Sequence, residues 1–157
     1  MKFPTQEKRY DPAPEGLFQA VCVDVVDRGM IPGFQGKLQH KVDLFWELDK
    51  TNDKSGKPFR VMRRFTLSAN EKSSLRKFLE SWRGKRFSED EINSFDLDDL
   101  IGKNCQLQIA HDVKADGKVY DSVQVAIPIR SDMVPLRPSP DYVRFKDREE
   151  NHQPEPF

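Results

Sequence analysis

A mainly β fold, five short strands with one helix between the third and the fourth, is what the sequence predicts. Three observations carry it: a valine-rich run near the start, several segments that alternate apolar and polar residues, and a single stretch with helical spacing in the middle. The chain has 157 residues, 36% hydrophobic and 33% charged, with formal charge +0. That length is a prior for one domain with a short appended segment.

Residues 1–15 are polar, punctuated by Pro4, Pro12 and Pro14, and read as an N-terminal arm. Residues 16–27 hold Val21, Val23, Val25 and Val26 and read as a first strand, apolar on much of both faces. Gly29, Pro32, Gly33 and Gly36 mark residues 28–37 as a loop. In residues 38–48, Leu38, His40, Val42, Leu44, Trp46 and Leu48 share one face. Gln39, Lys41, Asp43, Phe45 and Glu47 share the other, which is assigned to solvent. Residues 49–58 form a turn around Ser55-Gly56. In the third strand, residues 59–67, Phe59, Val61, Phe65 and Leu67 oppose Arg60, Met62, Arg64 and Thr66. Arg63 shares the apolar parity, which puts it at a barrel edge with its head reaching for water.

The helix follows. Ser68-Ala69-Asn70-Glu71 fits a capping box with Ser68 as N-cap. Leu75, Phe78, Leu79 and Trp82 recur at the spacing of one helical face, and Gly84 is placed to end it. Ser88-Glu89-Asp90-Glu91 is a second box opening a short helix. Residues 104–113 and 118–127 alternate as two strands around Ala115-Asp116-Gly117, a hairpin signal. This order matches an OB-fold, a five-stranded Greek-key barrel, over residues 16–128. Six of the 11 prolines then fall in the last 30 residues, so residues 129–157 read as a Pro-rich acidic tail, extended or disordered, on which Tyr142 and Phe145 dock locally.

The neutral total hides segregation. Residues 54–86 carry eleven basic side chains against Glu71 and Glu80, which leaves +9, while residues 87–101 carry −6 and residues 147–157 carry −3. Charge sorted this way makes a strong local field. Barrels of this type bind single strands by neutralising phosphates and by stacking bases on aromatic faces, each stack worth about 1–3 kcal/mol. Lys41 and Phe45 on strand two, with Arg60, Met62 and Arg64 on strand three, make one outward stripe. Phe34 and Lys37 lie in the first connecting loop, and Lys114 and Lys118 in the last, with Tyr120 just beyond it. For Arg60 and Arg64 the competing expectation is surface pairing with the acidic run after Phe87.

The chain closes on Glu155-Pro156-Phe157. An acidic, proline-containing tail ending in Pro-Phe resembles the C-terminal tip of bacterial single-stranded DNA-binding proteins, in which it follows an OB-fold and recruits replication and repair enzymes. That resemblance implies that Glu155, Pro156 and Phe157 bind a partner. Asn151-His152-Gln153 interrupts the acids, and no aliphatic residue precedes Pro156, as departures from the family. The body, through Phe65-Thr66-Leu67-Ser68, Trp82-Arg83-Gly84-Lys85-Arg86-Phe87 and Leu100-Ile101-Gly102-Lys103, is similar to small phage-encoded single-strand binders.

Enzyme readings find little. His40, His111 and His152 show no metal spacing, and no phosphate-cradling glycine motif is present. Cys22 and Cys105 give neither a disulfide framework nor a metal quartet and fall in predicted strands. No cofactor, metal or catalytic residue is expected. The N-terminus lacks the apolar core of a secretory signal, and no stretch approaches about 18 consecutive apolar residues, so the expected setting is a cytoplasm, that of a bacterial host for a phage-encoded chain. The expectation is therefore a sequence-tolerant single-stranded DNA-binding protein serving replication or recombination. Its rival is an OB-type interaction module, an inhibitor or regulator of a host protein, that binds no nucleic acid.

Overall fold

The computed structural model describes residues 11–148. Its strands are β1 (Gly16–Pro32), β2 (Leu38–Thr51), β3 (Pro58–Thr66), β4 (Asn104–Val113) and β5 (Val119–Ile127). Two α-helices, α1 (Ser74–Arg83) and α2 (Glu89–Ser94), lie between β3 and β4 in chain order. All five strands form one antiparallel sheet in the order β3-β2-β1-β4-β5. The fold is mainly β.

β1 is long because it serves two neighbours. Gly16 to Val21 pair with β4, while Ala20 to Pro32 pair with β2. Register shifts at Cys22/Asp24 and Asp27/Gly29 bend it between these roles. The second shift corrects the expected loop over 28–37. Gly29 takes φ +65, its N–H donates to the Asp27 carboxylate at 2.8 Å, and the strand runs on to Pro32. Only residues 33–37 turn, through a 3-10 turn at Phe34–Gly36.

The core lies between the sheet's inner face and α1. Val42, Leu44, Trp46 and Leu48 of β2 are buried there, whereas Leu38 at the start of the same face is 61% exposed. The α1 stripe Leu75, Phe78, Leu79 and Trp82 packs on them, with the Trp46 ring centroid 5.6 Å from Phe78 and 5.9 Å from Trp82. The helix starts later than the capping box suggests. Ser73 is the N-cap, accepting from Arg76 N–H, while Ser68 and Asn70 bond the nearby amides of Asn70 and Lys72 in a turn. Short polar side chains that satisfy local backbone groups in this way hold the chain out of the helix. Gly84 ends α1 in the left-handed conformation at φ +78, and Ser88 with Glu91 caps α2 reciprocally.

β3 and β5 are the two edges of the sheet, and Arg63 joins them. Its Nη1 donates to the carbonyls of Val123 at 3.3 Å and Gln124 at 3.0 Å, and its guanidinium lies over the Phe65 ring at 4.6 Å. α1 is fastened to the far side by Ser81 Oγ donating to Ala126 O and Trp82 Nε1 donating to Asn104 O.

Residues 128–136 run beside β4 and β1, held by Gln106 on Pro128 O, Asn104 on Leu136 and Gln19 on Val134 O. Residues 139–148 then cross the outer face of the sheet as a strap with a 3-10 turn at Phe145–Asp147. Polar anchors, rather than apolar area, hold this Pro-rich segment. Among the described residues no helix is long and apolar enough to cross a membrane.

The burial gradient along β2 predicts unequal costs for one substitution type. Leu44→Ala should lose about 2–5 kcal/mol of folding free energy, and Leu38→Ala less than about 0.5 kcal/mol. Urea midpoints at unchanged slope measure both, and equal losses would refute this placement of the core.

Candidate nucleic-acid interface

The period-two pattern brings Lys41, Phe45, Arg60, Met62 and Arg64 together on the outer face of β2 and β3. Phe45 pairs with Met62 across the strands, Lys41 with Thr66, Asp43 with Arg64 and Glu47 with Arg60. Three carboxylates on this face are shut off from water: Asp24, Asp43 and Glu47 are 1%, 0% and 2% exposed. Alternation alone marks Asp43 and Glu47 as solvated, and the strap together with Arg28, Arg60 and Arg64 makes them otherwise.

Each carboxylate is met by donors from more than one element. Asp43 accepts from Arg28 Nε at 2.7 Å and from Arg64 Nε at 2.7 Å and Nη2 at 3.1 Å. Glu47 accepts from Arg60 Nε at 2.9 Å and from Ser139 N–H at 2.7 Å. Asp24 accepts from Tyr142 O–H at 2.8 Å, Phe145 N–H at 2.7 Å and Arg144 Nε at 3.2 Å on the strap, and from Val25 N–H at 2.9 Å on β1. Arg60 and Arg64 are thus paired with β2 rather than with the acidic run after Phe87. The arginine of that basic window that does reach the acidic run is Arg83, on Glu91 at 2.6 Å.

Burial opposes ionisation of Asp43, but the hydrogen bonds and charges of Arg64 and Arg28 outweigh it and hold its carboxyl below the usual range. Burial, then the hydrogen bond to Asp24 and its charge, push the Tyr142 phenol up to about 12. Burial likewise pushes the Cys22 thiol up to about 12, and Cys105 is equally enclosed. Among the described residues no group of three His, Cys, Asp or Glu is arranged to hold a metal ion.

At the edge of the stripe, a groove of about 680 Å³ opens between the end of β3 and the start of α1. Lys41, Arg63, Arg64 and Lys72 line it with Thr66 and Ser73, and among the described residues no carboxylate does. A smaller cleft of about 270 Å³, sharing Arg63 and Ser74, adds Lys77 and extends the basic path along the β3–β5 seam. Lys72 and Lys77 were absent from the stripe because they lie on or before the helix. Their weight in the +9 window was the signal that pointed to them.

The loop residues stand apart from one another. Phe34, 78% exposed, and Lys37 follow the Pro32 end of β1, whereas the hairpin with Lys114 and Lys118 lies toward its Gly16 end. Lys114 Nζ is 5.9 Å from the Tyr120 ring centroid. Glu155, Pro156 and Phe157 lie outside the described residues. No family model matches the sequence, and no curated protein matches it at a significant level.

Two titrations follow from the carboxylates. A group held ionised in the fold below its ordinary value of 3.8 contributes stability that is complete above that value and lost as pH falls through the lower folded one. Asp43→Asn should therefore lower stability at neutral pH by about 1.5–3 kcal/mol and flatten the acid limb of a stability–pH curve. An unchanged limb would mean that Asp43 is not the linked group. In absorbance titration the Tyr142 phenol should ionise near 12 and Tyr142→Phe should delete that step. A titration complete by about pH 11, one unit above the ordinary phenol, would mean that the strap is not docked.

Proposed function

We propose that this chain is a sequence-tolerant single-stranded DNA-binding protein built on an OB-type barrel. The observation that carries the proposal is the groove lined by Lys41, Arg63, Arg64 and Lys72, in which Arg64 is shared with Asp43 and no carboxylate is among the described lining residues, beside the Phe45–Met62 pair on β2 and β3. Backbone phosphates fit such a lining, because each cation that meets a phosphate releases condensed counterions. The barrel reading is supported by the edge-to-edge approach of β3 and β5 through Arg63, by β1 serving both halves of the sheet, and by α1 packed on the inner face.

In this reading the protein acts passively. Lysines hold the backbone, exposed apolar and aromatic groups meet the bases, and the strand is kept unpaired during replication or recombination. Its setting is the bacterial cytoplasm, and Glu155, Pro156 and Phe157 recruit partner enzymes, as the resemblance implies.

One observation favours the rival interaction module. A cleft of about 440 Å³ beside α1 is lined by Trp82, Phe87, Phe95, Leu100 and Pro128, with Lys103 also in its lining. An apolar cleft of this kind suits a peptide side chain better than a phosphate.

Anisotropy of labelled oligo-dT of about 30 nucleotides and of a matched duplex, over a salt series, separates the two, with a slope of about −0.7 in log K against log salt per phosphate contacted. Preferential binding of the single strand is expected. Lys41→Glu with Lys72→Glu should weaken it by at least about tenfold, equivalent to roughly 1.4 kcal/mol. Absence of binding to either form at low salt would assign the basic groove to a protein.

A further inference from the structure

We infer that the strap carries a base-stacking site for single-stranded DNA, formed by Tyr142 and Phe145 with Arg148 between them. The inference rests on the DNA-binding reading above and places a stacking platform on the tail segment rather than on the sheet strands.

Cations and rings alternate here in a ladder. The Arg60 guanidinium lies over Tyr142 at 5.0 Å from the ring centroid, and Arg28 lies over Phe145 at 4.7 Å. Arg148 sits 5.6 Å from Tyr142 and 5.9 Å from Phe145. The two outer arginines are fixed, since their Nε atoms are committed to Glu47 and Asp43. The rings are fixed as well, because Tyr142 O–H and Phe145 N–H both donate to the buried Asp24 carboxylate. Phe145 nevertheless remains 45% exposed. An apolar ring pinned in place and left open to solvent adds little to folding, yet it offers a preorganised face to a flat ligand.

Arg148 is the exchangeable member. It lies at the outer limit of about 6 Å for attraction to a ring, and among the described residues its Nε donates to Val143 O at 3.1 Å, an exposed contact. A base entering beside Phe145 takes its place on the rings, and the displaced guanidinium is then free to meet the neighbouring phosphate. Paired, stacked bases of a duplex cannot enter, so the site selects single strands. Of the carboxylates near this edge, Asp141 is held by Lys57 at 3.1 Å and faces Arg60 at 3.6 Å, Asp98 faces Arg144 at 3.5 Å, and Asp147 is exposed beside Arg148.

The full-length chain tests this with oligo-dT and oligo-dC in the same anisotropy assay. Phe145→Leu, which keeps the bulk and removes the π face, should weaken both by about tenfold, the loss of one stacked base, with the salt slope unchanged. Phe145→Trp should restore affinity. Arg148→Gln should reduce the magnitude of the salt slope by about 0.7, one phosphate contact. If the wild-type chain binds and Phe145→Leu and Arg148→Gln both bind as it does, the stacking site is wrong while the DNA-binding reading stands. If the wild-type chain binds no single strand, both fall together.

Discussion

Asp24, Asp43 and Glu47 impose the constraint on which the outer half of this structure depends. A carboxylate removed from water costs several kcal/mol unless charged or N–H donors replace its hydration. Here each has donors, and they come from separate parts of the chain. Asp43 ties β1 to β3 through Arg28 and Arg64, Glu47 ties β3 and the strap together through Arg60 and Ser139, and Asp24 ties the strap to β1 through Tyr142, Arg144 and Phe145. The apolar face of β2 determines where the core lies. The acidic face of the same strand and its neighbour determines what covers the sheet.

The same pairs change the meaning of the charge pattern. Of the basic side chains in residues 54–86, the arginines are largely structural. Arg60 and Arg64 serve β2, Arg63 donates to the carbonyls of β5, and Arg76 donates to Ala69 O and Phe87 O. A planar fork that makes several directed bonds suits this work. Lysines, compact charges on flexible stems, are left at the groove margins as Lys41, Lys72 and Lys77. Net charge over a window therefore overstates the cations available to a polyanion, and the division between arginine and lysine corrects it.

Much of the inner architecture was legible because it rests on periodicity. The alternation of Val42, Leu44, Trp46 and Leu48 and the spacing of Leu75, Phe78, Leu79 and Trp82 are local patterns, and they fix which faces meet. What was not legible depends on distant partners. Counting by twos from Cys22 would put Asp24 on the core side, and the register shift between them turns it to the outer face, where the strap finds it. Gly29 reads as a loop breaker until its strand partner Lys41 is known. Ser68 has the pattern of an N-cap, but its hydroxyl accepts from Asn70 N–H in a turn, and Ser73 caps the helix instead. The strap itself is poor in apolar residues, so composition marks it as loose, whereas its anchors are hydrogen bonds to an acceptor more than a hundred residues away.

These anchors bear on whether the strap is a cover or a component. A cover over a nucleic-acid face should leave that face more positive when it lifts. Lifting residues 139–148 would do the reverse, because Asp24 would lose three donors, one of them the Arg144 guanidinium, and Glu47 would lose the Ser139 N–H. Arg148 would leave as well, and the newly exposed carboxylates would face the incoming phosphates, a like-charge approach that costs binding free energy. With the strap in place those carboxylates are enclosed, and the side chains it leaves exposed include Phe145, Lys146 and Arg148 together with Asp141 and Asp147. In the DNA-binding reading proposed above, the strap thereby keeps the buried carboxylates of this side away from the phosphates.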